Sequence, residues 1–276
     1  MFIRAAGLRP AYRGRDMIEV RGVSHHYGVR LILRDVDLAV ARGEVLALMG
    51  PNGMGKSTLM GVLGGTLAPA RGTVTIDGRR RRGSPADERA IRRQVYYLPA
   101  DPWLPRQLTG RAWLLAVGRV YGIDDERLMG HADRLLDLFD LARQGDAPIA
   151  SYSTGQHKKL AVAGLLIAET PVMLLDEPFA GGLDPSAILA LKKVLLRHAH
   201  GDDRTIVMAT PVPELVAELA DRIAILVDGR IVACGTLAEL RARAGLNGPL
   251  DEVYERLVHP DGRRNVDRYF GEGASS

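Results

Sequence analysis

Along residues 35–40, Val36, Leu38 and Val40 alternate with Asp35, Asp37 and Ala39. This is the period-two pattern of a strand with one buried face. Residues 44–49 form an apolar run that leads into a glycine-rich turn, and residues 56–63 suit a helix. Short runs at 18–20, 73–76, 95–98, 172–175, 205–209 and 222–227 read as further strands, with Asp228 and Gly229 turning the last into Ile231 and Val232. Between about 107 and 145 the strand pattern stops. Leu108, Trp113, Leu114, Val117, Val120 and Tyr121 recur at helical spacing, as do Leu135, Leu138, Phe139 and Leu141. A further helix is expected from Ser153 through Leu166. Strands interrupted by a helical block predict an α/β fold, a mixed sheet with helices packed on it and a helical subdomain inserted at about 101–168.

The chain has 276 residues, enough for one large α/β domain with an added subdomain. Hydrophobic residues at 46% and charged residues at 25% exclude a disordered or collagen-like chain. No apolar run approaches the ~20 residues needed to cross a bilayer; the best candidate, 160–168, is far too short. Arg4, Arg9, Arg13 and Arg15 precede Met17 without an apolar stretch, so residues 1–16 read as a disordered basic extension and not as a signal peptide. Translation from Met1 and from Met17 both fit. Residues 246–276 read as a C-terminal helix followed by a frayed tail. The single cysteine, Cys234, excludes an internal disulfide, and its apolar surroundings predict a buried structural thiol. A net charge of +4 does not argue for nucleic acid, and no such partner is expected. The basic run at 79–82 follows the turn at Asp77 and Gly78 and is expected to be a solvated hairpin loop.

Gly50, Pro51, Asn52, Gly53, Met54, Gly55, Lys56 and Ser57 match the phosphate-loop pattern, with Thr58 following. Glycines let successive N–H groups turn inward around phosphates, and the helix behind adds its positive end. Lys56 would reach the β- and γ-phosphates and the Ser57 hydroxyl a Mg²⁺ ion. The apolar run at 172–175 ends in Asp176 and Glu177. A buried strand would deliver Asp176 to the metal, leaving Glu177 to polarise the attacking water. Ser153, Thr154, Gly155 and Gln156 open the predicted helix that precedes this strand. Ser153 is a natural N-cap and Gly155 leaves room for a second phosphate.

The order of these three motifs resembles the ATP-binding cassette (ABC) family, over about residues 17–257. Residues 152–156 look like its Leu-Ser-Gly-Gly-Gln signature, with Thr154 in place of a glycine. Gly182, Leu183 and Asp184 match its D-loop, and Tyr27 falls where the family places an adenine-stacking aromatic; a core tyrosine is the other reading of Tyr27. The resemblance implies an ABC domain over 17–245. It also implies a head-to-tail dimer of cassettes with ATP between the phosphate loop of one and the signature serine of the other. An integral membrane permease is the implied partner, which would hold the chain peripherally at the cytoplasmic face of the membrane. Residues 108–123 and 250–254 look like the branch serving ABC-2-type exporters.

Two departures bear on hydrolysis. The family's glutamine after Tyr97, Leu98 and Pro99 is Ala100 here, and the neighbouring Asp101 is the candidate substitute at the metal. The histidine expected after Thr210 is Pro211, which has neither a side-chain donor nor a backbone N–H. The expected function is therefore an ATP-hydrolysing transporter subunit. The alternatives are a poorly hydrolysing regulatory cassette or a non-transport cassette protein.

Overall fold

The computed structural model describes residues 16–259. The extension before Asp16 and the tail after His259 lie outside it. The alternation at 35–40 belongs to β2 (Arg30–Ala41), which pairs antiparallel with β1 (Asp16–Tyr27). β1 begins at Asp16, one residue inside the expected extension, because Asp16 pairs opposite Ala41. β1 also pairs with β4 (Arg71–Ile76), whose other edge carries the two-residue β5 (Arg79–Arg80), giving the order β2-β1-β4-β5.

A second sheet has the order β10-β9-β3-β8-β7-β6. It contains β3 (Val45–Met49), β6 (Val95–Leu98), β7 (Val172–Asp176), β8 (Thr205–Ala209), β9 (Arg222–Val227) and β10 (Arg230–Gly235). Five strands run parallel and β10 is the antiparallel edge. Every residue of β3, β7 and β8 is buried, as both faces of a parallel sheet require. Helix α1 (Lys56–Gly64) packs between the two sheets, where Leu59, Met60 and Leu63 join the core formed by Ile18, Val20, Leu38 and Leu48.

The helical block consists of α3 (Gly110–Val120), α4 (Asp125–Leu138) and α5 (Thr154–Ile167), which pack on one another. Close approach explains Gly164, since a Cβ there would stand 2.2 Å from the Trp113 ring. Three helices lay outside the sequence pattern or were not resolved in it. These are α2 (Pro85–Gln94), α6 (Pro185–Asp202) and α7 (Pro213–Leu219), each with proline in its first turn. The chain continues through α8 (Leu237–Ala244) and α9 (Leu250–Val258), whose Leu240, Leu250 and Val253 cover the β9–β10 end of the sheet.

The basic run corrects one expectation. Arg79 and Arg80 form β5, and Arg81 is buried, not solvated. Its guanidinium donates to Leu63 O at 2.7 Å and pairs with Glu88 at 3.0 Å. It thereby serves a carbonyl at the C-terminal end of α1, where a cation is favoured. Cys234 is half-buried rather than fully buried, with the Arg222 guanidinium 3.2 Å from its sulfur.

Candidate functional site

Parallel pairing sets Leu48 of β3 and Asp176 of β7 on either side of Ala209 of β8. Three loops therefore leave the same edge of the sheet side by side, after β3, β7 and β8. This carboxyl edge is where open parallel sheets hold ligands.

The loop after β3 needs its glycines. Gly50 has φ 154°, and a Cβ there would stand 2.1 Å from Leu226 O. Gly53 and Gly55 also have positive φ, at 77° and 105°. Gly55 opens α1 with no side-chain cap, so the helix's first N–H groups are free to meet an anion. Lys56 is 5% exposed, and its ammonium donates to Gly50 O at 2.7 Å and Pro51 O at 3.1 Å. Burial lowers its pKa, opposed by the pull of Glu177 and Asp176. Asn52 and Gly53 lie exposed along the loop with Pro51 and Met54 partly covered, and Thr58 is buried behind it.

Asp176 ends β7 and is 2% exposed. Burial raises its pKa, while a hydrogen bond from Ser57 opposes the shift. Its Oδ1 is buried without a hydrogen-bonding partner. A hard cation would satisfy such an oxygen, and the Ser57 hydroxyl beside it would offer a second oxygen ligand. Among the described residues no group of three or more His, Cys, Asp or Glu is placed to hold a metal. Mg²⁺ takes one or two carboxylates and completes its shell with water and substrate phosphates, so the orphaned Asp176 Oδ1 and the Ser57 hydroxyl fit it. Glu177 follows in left-handed backbone geometry, φ 49°, held by its N–H donating to Ala209 O at 2.8 Å. The main chain thus turns this carboxyl out of the strand direction, a strained placement of the kind that gathers at functional sites.

Ser153 caps α5 in a reciprocal capping box. Gln156 N donates to Ser153 Oγ at 3.3 Å and Ser153 N to Gln156 Oε1 at 2.8 Å. A Cβ on Gly155 would lie 2.7 Å from Gly182 O, so the first turn of α5 touches the loop at Gly182 within one chain. Lys159 pairs with Asp184 at 2.5 Å across the same contact. Tyr27 is 52% exposed at the end of β1, with its ring edge-on to His25 at 5.0 Å. That exposure removes the core reading and leaves a ring face available to a base.

The departures keep their force. Thr210 is buried and its hydroxyl accepts from Val212 N at 3.3 Å, so it points into its own loop. Asp101 is exposed on the loop after β6. His198 pairs with Asp202 within α6 at 2.6 Å, and His200 lies exposed in the last turn. Neither replaces the missing histidine. Sequence reasoning passed over Lys158, which is 5% exposed on α5 and donates to Ala100 O at 3.1 Å. The available signal was a pair of lysines inside an otherwise apolar helical run.

A family profile described as ABC transporter matches residues 33–180. The daunorubicin resistance ATP-binding protein DrrA3 of Streptomyces coeruleorubidus is 36% identical over 228 residues, covering 83% of this chain and 71% of that protein. The Nod factor export ATP-binding protein I of Sinorhizobium fredii is 33% identical over 218 residues, covering 79% of this chain but 62% of its own length. A protein named for import is also among the relatives. A solved structure of an ATP-binding subunit of an ABC transporter superposes with a TM-score of 0.81 at 34% identity, covering 87% of this chain and 99% of that one. The phosphate loop, the acid pair and the capped signature helix thus stand on a scaffold shared with these proteins, and the chain belongs to the ABC transporter family as an ATP-binding subunit with ATPase function.

Proposed function

We propose that this chain binds Mg-ATP at the β3–β7–β8 edge and, as a dimer of cassettes, drives movement of cargo through a partner permease. The observation that carries the reading is the convergence of an open phosphate loop with the buried, unpartnered Asp176 Oδ1. In this reading the 50–55 loop and Lys56 grip the phosphates, Ser57 and Asp176 hold the metal, and Tyr27 stacks on the base. The bound Mg²⁺ would neutralise charge on the phosphates. Glu177 would take a proton from the attacking water. Ser153, Gly155 and Gln156 would face the nucleotide of the opposite cassette. The ABC domain is taken as 17–245, with the helical subdomain at 101–168.

A cavity of about 540 Å³ lies between α3, α5 and β6, lined in part by Tyr96, Tyr97, Trp103, Trp113 and Ser57. Trp103 is 82% exposed at its mouth. A large exposed indole at the rim of an apolar hollow is the composition of a protein-binding hot spot. The same loop runs back to Ala100, so a permease seated there is mechanically joined to the nucleotide site. No helix among the described residues is long and apolar enough to cross a membrane, so in this reading the permease supplies the spanning segments and the chain sits peripherally. Trp103→Glu is expected to remove a co-purifying integral membrane protein while leaving ATP binding unchanged. Retention of that partner by the variant would move the docking site elsewhere.

A regulatory cassette that closes on ATP and turns over slowly is the second reading. It is favoured by Pro211 and by the inward hydrogen bond of Thr210. A preorganised donor at developing charge is worth ~10²–10³ in rate. Pro211→His is therefore expected to raise turnover, measured with ATP binding checked in parallel. A fast parent with no response to the histidine would leave a fully competent transport ATPase.

A further inference from the structure

Lys158 lies in the second turn of α5, on the helical subdomain, yet its charge reaches the core. It is 5% exposed, and an ammonium that deep is costly unless it is paired. The carboxylates within electrostatic range are Asp176, Glu177 and Asp101. It has three N–H donors, and among the described residues only Ala100 O accepts from it, at 3.1 Å. Ala100 is exposed and has no polar side chain, so the polar link from this part of the loop to α5 is its backbone carbonyl. Its neighbour Lys159 is committed to Asp184. One turn of α5 therefore sends two ammonium groups to two different core loops.

We propose that Lys158 is a positioning residue for hydrolysis, tying the Ala100 loop to α5 with its ammonium in electrostatic range of the Asp176–Glu177 pair. The proposal rests on the ATPase reading above and adds a residue to it. An ammonium anchored at the Ala100 carbonyl attracts both carboxylates and holds them in register, at the sheet edge where positions 100 and 211 lack the expected polar side chains.

The test uses the full chain with parent, Lys158→Met, Lys158→Arg and the double variant Lys158→Met with Ala100→Gln. ATP affinity is measured by calorimetry without magnesium, and kcat and KM are measured with it. Losing the outer partner of a catalytic carboxylate typically lowers activity ~10–100-fold. Lys158→Met is expected to lower kcat by that order with unchanged ATP affinity. Lys158→Arg should recover most of the rate, and Ala100→Gln should recover part of it by returning an amide to the loop. Unchanged kcat in Lys158→Met overturns the proposal. So does a loss confined to thermal stability, or a loss that neither rescue reverses, since each makes Lys158 a packing residue. A parent that neither binds nor hydrolyses ATP would defeat the ATPase reading itself, an outcome separable from these.

Discussion

Lys56→Ala is expected to weaken ATP binding by ~30-fold or more. Truncating one partner of a buried, hydrogen-bonded charge pair costs about 2–5 kcal/mol. The ammonium is buried, and it already sits inside the ring of N–H and carbonyl groups formed by residues 50–55. Without ligand it donates to Gly50 O and Pro51 O. With ATP it would exchange those carbonyls for phosphate oxygens, at little cost in reorganisation because the side chain is already desolvated. Alanine removes both arrangements. Thermal melting of the variant separates loss of the ligand contact from collapse of the loop. Equal calorimetric affinity in parent and variant, with the fold intact, would remove Lys56 from the nucleotide site.

Glu177→Gln is expected to lower hydrolysis by ~10²–10⁴, the usual contribution of a positioned general base. Affinity for ATP should persist, and ATP should then hold two copies together, read as a shift to dimer in size-exclusion chromatography. The substitution suits this site because the geometry of Glu177 comes from its backbone. The N–H to Ala209 O hydrogen bond and the positive φ do not depend on which oxygen or nitrogen ends the side chain. Glutamine keeps the volume and the placement and loses the charge. Undiminished steady-state turnover would assign the water-activating role to another group.

The strands of the parallel sheet were legible because β3, β7 and β8 are buried on both faces and so read as unbroken apolar runs. The phosphate loop and the acid pair were legible for the same reason, since each follows such a run directly. α2 was not. Only Ile91 of its ten residues is buried, and a helix with so little apolar face leaves no periodicity to detect. Its starting signal, Ser84 with Pro85 behind it, was present but brief. Arg81 was misjudged because composition shows a run of four arginines and cannot show that one faces the end of α1. Lys158 escaped for a similar reason. Its partners come from segments some sixty residues before it and some twenty after it, a meeting that only the tertiary fold makes.

The strand order has a consequence for synthesis. β3 lies between β8 and β9, and neither neighbour exists until residues 205–227 have been made. As the chain leaves the ribosome, the most apolar strand of the molecule therefore waits through most of translation with both edges unpaired. Contacts of such high sequence separation are slow to form, and unpaired apolar edges invite pairing with other chains. β1, β2 and β4 are complete by residue 76 and need no later strand for their mutual pairing. Together with α1 they can cover one face of β3 early, a nascent shield for the segment that later carries the phosphate loop.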